Sequence, residues 1–205
     1  MPMPRNSSHE PAFRDVDNDG DPDLYVCADF DFPDRFWIND GAGRFRLINK
    51  LAIRRTSQFA MGIDFTDLNR DGHLDFMTVD MLSRDHKRRK TQMGMMNPTP
   101  VVVGRINNQP QIMQNTLFLN RGDSTWTEIA QYAGLKASEW SWATVFTDVD
   151  LDGYEDLLVT TGMSRDFMDS DALDQIEQKK AKALEKGLNQ PQAKEYEIEL
   201  NRLFP

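Results

Sequence analysis

The chain has 205 residues, with 24 lysines and arginines against 33 aspartates and glutamates, for a formal charge of −9. That length suits one or two domains with a sizeable core, and the acidic excess speaks against a nucleic-acid partner. Cys27 is the sole cysteine, which excludes an intrachain disulfide, and no run approaches the roughly 20 apolar residues of a membrane span.

In chain order, the first predicted feature is an acidic loop, Asp15-Val16-Asp17-Asn18-Asp19-Gly20-Asp21-Pro22-Asp23. The apolar run Leu24-Tyr25-Val26-Cys27 follows and predicts a buried strand, with Cys27 as an inert core thiol. Residues 36–39 turn through Asp40 and Gly41 into 44–48, a β-hairpin pattern. Residues 62–66 predict a strand, a second acidic loop spans 67–75, and Phe76-Met77-Thr78-Val79 predict another buried strand. An insertion then covers roughly 82–115 and carries Pro98, Pro100 and Pro110. Its basic stretch at 84–90 suits a solvated surface, and Met93, Met95 and Met96 suit cover for apolar surface.

A second hairpin runs from 117–120 through Arg121-Gly122-Asp123-Ser124 into 125–129. The triplet Arg121-Gly122-Asp123 matches an integrin-recognition tripeptide, but turn chemistry accounts for Gly122 and Asp123. Residues 143–147 predict a strand, the third acidic loop spans 148–156, and Leu157-Leu158-Val159-Thr160 predict its partner. From 169 to 205 the composition shifts to Glu, Gln, Lys and Ala. Periodicity predicts a helix over 170–188, with Ser170 as N-cap and Gly187 as terminator. Leu173, Ile176, Ala183 and Leu184 fall on one face for packing, leaving Lys179, Lys180 and Glu185 to solvent. Pro191 suits the start of a second helix.

The three loops share the pattern D-x-[DN]-x-D-G-x-x-D. Oxygen side chains at positions 1, 3, 5 and 9 can converge on one hard cation, a backbone carbonyl at position 7 adds a fifth ligand, and glycine at position 6 permits the turn. The candidate calcium ligands are Asp15, Asp17, Asp19 and Asp23 with the Asp21 carbonyl in loop 1. Loop 2 offers Asp67, Asn69, Asp71 and Asp75 with the His73 carbonyl, and loop 3 offers Asp148, Asp150, Asp152 and Asp156 with the Tyr154 carbonyl. An EF-hand is excluded. Position 12 is Val26, Thr78 or Val159 rather than a bidentate Glu, and strands instead of helices flank each loop. Loop 2 is expected to bind most weakly, because Asn69 removes a ligand charge and Arg70 adds a positive one.

Joining each hairpin to the calcium hairpin after it gives four antiparallel strands per unit, at about 36–80 and about 116–161, with 12–28 as the second half of an earlier unit. The expected fold class is all-β, with antiparallel four-stranded propeller blades, about two and a half of them, and a C-terminal helical segment. The expected domains are blades over 12–168, interrupted by the insertion, and a helical excursion or extension over 169–205.

At these residues the chain resembles the FG-GAP/VCBS repeat propellers, and in particular UnbV-type proteins related to cartilage acidic protein. The resemblance is carried by Asn115-Thr116-Leu117-Phe118-Leu119-Asn120-Arg121-Gly122-Asp123-Ser124-Thr125-Trp126, by Tyr132-Ala133-Gly134-Leu135, and by Trp140-Ser141-Trp142-Ala143 leading into Phe146-Thr147-Asp148. Val79-Asp80-Met81-Leu82 is also similar to large bacterial members. The resemblance implies a propeller with calcium in its blade loops, as in integrin alpha chains, and an exported adhesive or scaffolding role.

The expected function is therefore a non-catalytic, calcium-binding propeller segment that binds a protein or glycan. Its expected location is extracellular, periplasmic or at the cell surface, as a fragment, since residues 1–10 lack the apolar region of a signal peptide. The remainder of a propeller, or other copies of the chain, would satisfy its open blade edges. The alternatives are a non-functional fragment and, further off, a propeller hydrolase or lyase acting on glycans. His9, His73 and His86 sit in unrelated contexts, and neither a G-x-S-x-G elbow nor an H-E-x-x-H is present.

Overall fold

The computed structural model describes residues 7–30, 32–91, 99–162 and 170–185. The chain divides into two compact units: Met1–Arg84 with Met96–Gly162, and Asp85–Met95 with Met163–Pro205. All the strands among the described residues belong to the first.

Strands β1 (Ser7–Arg14), β2 (Asp23–Asp29), β3 (Arg35–Asn39) and β4 (Phe45–Leu47) form one antiparallel sheet in that order. After β5 (Thr56–Ser57), a second four-stranded sheet is built from β6 (Gly62–Thr66), β7 (Asp75–Val79), β9 (Thr116–Asn120) and β10 (Trp126–Glu128). The last pair, β11 (Ser141–Thr147) and β12 (Asp156–Thr161), forms a half-sheet. The blade count of two and a half is as expected, and so are the hairpins that carry the acidic loops.

The grouping of strands is different. Each sheet begins at the strand before an acidic loop, so the hairpin at 36–48 completes the blade of loop 1 and does not open the blade of loop 2. Repeats joined end to end look alike wherever the cut is made, and only hydrogen bonding fixes the boundary. The short link from β2 to β3 lets Leu24 face Trp37 in the ladder, whereas the chain from β4 to β6 crosses to the next sheet.

Side-chain alternation along β7 explains how the sheets stack. All five residues of β7 are buried, because this strand is covered on both faces. Phe76 points toward blade 1, with ring centroids 5.1 Å from Tyr25, 5.3 Å from Phe65 and 4.8 Å from Phe118. Met77 and Val79 belong to a second cluster with Leu117 and Ala130, packed against Phe146, Leu157 and Val159 of the half-blade. Cys27 lies in the first cluster, fully buried, and burial pushes its thiol well up.

The first strands of the three units lie side by side, β1 and β11 both against β6. The approach is close at Gly62, where an added Cβ would lie 2.8 Å from the Trp142 carbonyl oxygen and 2.9 Å from the Ala143 Cα. Asp64 ties the neighbouring strands by accepting the Phe146 amide at 2.8 Å, with Arg14 at 3.6 Å.

The insertion returns through β8 (Gln111–Ile112), which pairs in parallel with β5. Asp80, fully buried, organises this join. It accepts from the Ser57 hydroxyl and from the amides of Gln58 (3.1 Å) and Phe59 (3.0 Å), while its own amide donates to Asn115 Oδ1 at 2.8 Å. Helix α1 (His86–Thr91) carries the basic stretch, and it buries no residue, in line with a solvated surface. Met93, Met95 and Met96 lie outside the described residues.

Helix α2 (Ser170–Glu185) matches the expected helix up to residue 185. The packing face of Leu173, Ile176, Ala183 and Leu184, the exposure of Lys180 and Glu185, and the second helix at Pro191 all fall outside the described residues and side chains. Lys179 is partly buried rather than fully solvated.

Candidate metal centre

The same cradle of hydrogen bonds is built three times. Position 1 receives two backbone amides: Asp15 accepts from Asp19 (3.1 Å) and Gly20 (2.9 Å), Asp67 from Asp71 (3.0 Å) and Gly72 (2.8 Å), and Asp148 from Asp152 (3.1 Å) and Gly153 (2.8 Å). Position 5 accepts from the amide of position 7: Asp19 from Asp21 at 3.0 Å, Asp71 from His73 at 2.9 Å and Asp152 from Tyr154 at 2.8 Å. Such local side-chain-to-backbone bonds are the ordinary chemistry of Asp in turns. Their effect is to wind the loop so that positions 1, 3 and 5 point inward.

Backbone strain follows the same repeat. Position 6 is left-handed in every loop, with φ of 93° at Gly20, 84° at Gly72 and 85° at Gly153. Position 4 is left-handed too, although it is never glycine: Asn18 has φ 62°, Arg70 59° and Leu151 62°. Non-glycine residues adopt this region rarely and at some cost, and functional sites are among the places where such strain persists.

Carboxylate oxygens of Asp15, Asp17 and Asp19 all lie within 4.8 Å of one another, and those of Asp148, Asp150 and Asp152 do the same. Each set could hold a divalent cation. The first residue of each is half-buried and the others are exposed. Burial, with the nearby charges of Asp23 and Asp19, raises the Asp17 carboxyl, as gathering like charges does. In loop 2 the amide of Asn69 donates to Asp71 at 2.9 Å and holds that carboxyl below its usual range. The side chain of Asn69 thus gives loop 2 a hydrogen-bond donor where loops 1 and 3 carry a carboxylate.

Position 9 has a second task. Asp23 accepts from Val16 at 3.0 Å with one oxygen and from Asn39 at 2.8 Å with the other, and Asp75 accepts from Leu68 at 3.0 Å and Asn120 at 2.8 Å. Both carboxylates are buried, which raises them despite those bonds. Neither belongs to a group of converging oxygens. Asp156 accepts from Val149 at 3.0 Å, and among the described residues its unit has no third strand to supply the other donor.

Two residues without an assigned role in the sequence thus emerge as parts of the site. Asn39 and Asn120 end the third strands, donate their amides to position 9, and bond through their side chains to the position 8 carbonyls of Pro22 (3.1 Å) and Leu74 (3.2 Å). Their oxygens also accept from Gly41 at 3.3 Å and Gly122 at 3.0 Å. The signal was the recurrence of Asn-x-Gly at the same place in both hairpins. Those glycines make room for position 7, since a Cβ on Gly122 would lie 2.7 Å from His73 Nε2, and one on Gly41 would collide with the Asp21 carboxylate. This accounts for Gly122 within the triplet at 121–123, and Asp123 accepts from the Thr125 amide at 3.1 Å as a turn residue does.

The FG-GAP-like repeat pattern matches residues 9–78 and 101–159, more than half of the chain and inclusive of all three loops. The chain belongs to the FG-GAP-like repeat family. No curated protein matches it. The unmatched interval of the FG-GAP-like chain holds α1 and the first part of the insertion. FG-GAP-like repeat architecture is typical of non-catalytic modules, and no catalytic arrangement of side chains is evident among the described residues. No helix among those residues is long and apolar enough to cross a membrane.

Proposed function

We propose that this FG-GAP-like chain is a calcium-binding propeller segment, of the UnbV-type branch, that presents its blade loops to a protein or glycan on an exported protein. The observation that carries the metal assignment is the threefold recurrence of one strained, hydrogen-bonded cradle around oxygen ligands. Its donors are carboxylate, amide and carbonyl oxygens, which suit a hard cation that takes six to eight ligands and tolerates irregular geometry. Calcium would neutralise the gathered carboxylates and hold positions 1, 3 and 5 together. The hairpin tips would then form a fixed surface, as adhesion requires.

Calcium added to the chelator-treated chain is expected to raise its melting temperature and to shift the amide resonances of Gly20, Gly72 and Gly153, at free concentrations on the order of 10⁻⁴–10⁻³ M. Magnesium at the same concentration is expected to do much less. If calcium in the millimolar range moves neither the melting temperature nor these three resonances, the loops are acidic turns and no metal centre exists. Glycan-array and pull-down binding in calcium against chelator then tests the adhesive role, which fails if no ligand is retained in calcium alone.

A further inference from the structure

The left-handed position 4 directs its side chain out of its own loop and onto the next one. Asn18 Nδ2 donates to the Gly72 carbonyl oxygen at 3.0 Å. One blade later, Arg70 Nη2 donates to the Gly153 carbonyl oxygen, and its guanidinium lies 3.9 Å from the centre of the Tyr154 ring. In both cases the acceptor is the position 6 glycine. That carbonyl belongs to the peptide linking positions 6 and 7, whose amide end bonds the position 5 carboxylate. A side chain anchored there fixes the peptide plane immediately before the position 7 carbonyl.

The positive charge of Arg70 therefore sits at loop 3. The expectation that it weakens loop 2 assigned that charge to the wrong site, because in the left-handed conformation the side chain leaves its own loop.

We propose that Asn18 and Arg70 are positioning residues that couple neighbouring cation loops, so that filling one loop raises the affinity of the next. The proposal rests on the calcium assignment above. A cation drawing positions 3 and 5 inward holds position 4, which lies between them, in its strained conformation. The side chain of position 4 is then delivered to the neighbouring glycine carbonyl, and that loop is pre-ordered before its own cation arrives. Linkage makes the effect reciprocal. A single neutral hydrogen bond corresponds to about fivefold in affinity. Loop 3 passes nothing onward through this device, since Leu151 is 86% exposed and has no polar group to donate.

The test is a calcium titration of the full chain, followed at the amides of Gly20, Gly72 and Gly153. Asp17→Ala disables loop 1. It is expected to raise the midpoint read at Gly72 about fivefold, and in an Asn18→Gly background to leave that midpoint within about twofold, since only the link has gone. Glycine keeps the left-handed backbone available, so Asn18→Gly alone should remove the link without unwinding loop 1, and by reciprocity it should raise the Gly20 midpoint by no more than about fivefold. Asp71→Ala with and without Arg70→Gly, read at Gly153, repeats the cycle on the second link and serves if the first variant fails to fold. An unmoved neighbour midpoint, or one that moves equally with the link removed, overturns the coupling while leaving calcium binding intact. Absence of any response at all three glycines overturns the calcium assignment and the coupling with it.

Discussion

Replacing Asp75 separates what the ninth loop position does for the fold from what it does for a cation. Asp75 is fully buried, and its two oxygens accept the backbone amides of Leu68 at 3.0 Å and Asn120 at 2.8 Å. Asp75→Ala leaves both donors without a partner, and an unsatisfied buried donor costs about 1–3 kcal/mol. The expected loss is thus about 2–6 kcal/mol for the pair. Asp156 occupies the same position in loop 3, but it is exposed and accepts only the Val149 amide, which water can reach. Asp156→Ala should therefore cost less than about 1 kcal/mol. Urea unfolding of both variants in excess chelator measures the difference with every cation removed. Equal losses, or a near-native Asp75→Ala without cation, would refute the assignment of Asp75 as a link between its loop and the third strand.

Phe76→Ala removes the ring that touches blade 1, and it should cost about 3–5 kcal/mol by chemical denaturation. Gly62→Ala should destabilise strongly although alanine suits strands no worse than glycine, because its Cβ meets the Trp142 carbonyl and the Ala143 Cα, both backbone atoms; melting temperature reports it. Burial raises the Asp34 carboxyl to about 7, opposed by bonds from the Ala28 amide and the Tyr25 hydroxyl and aided by the charge of Asp80. The fold then holds a proton that the unfolded chain has released between about 4 and 7, so stability falls as pH rises through that window and levels off above it. Asp34→Asn should flatten that slope relative to the native chain in unfolding measured from pH 4 to 8, and an unchanged slope would show that Asp34 titrates normally.

Strand positions were legible because each carries its own local signature. The runs after the loops are apolar and branched or aromatic, and their alternation matches the two faces seen at Phe76 and Met77. The acidic pattern likewise placed Asp15, Asp17 and Asp19 together. Long-range pairing was less accessible. Nothing local distinguishes a hairpin that closes one blade from a hairpin that opens the next, so the blade boundary came out half a blade away. The parallel pairing of β5 with β8 joins residues 56–57 to 111–112 across the whole insertion, and two-residue strands carry no periodicity to read. Position 4 was hidden for another reason. Asn18, Arg70 and Leu151 share a backbone conformation and no side-chain chemistry, so a comparison of residue types could not bring them together.

Both helical excursions depart from the same point of the repeat, directly after its second strand: α1 follows β7, and α2 follows β12. In blade 2 the departure leaves the ladder undisturbed, with Met77 still facing Leu117 once the chain returns. The segments that leave, Asp85–Met95 and Met163–Pro205, form one compact unit between them. That unit is consequently discontinuous in sequence. Its first piece emerges from the ribosome and must wait while the hairpin of β9 and β10 and the third loop are made. A propeller built this way can acquire a second body by lengthening two equivalent joints, without altering a single strand.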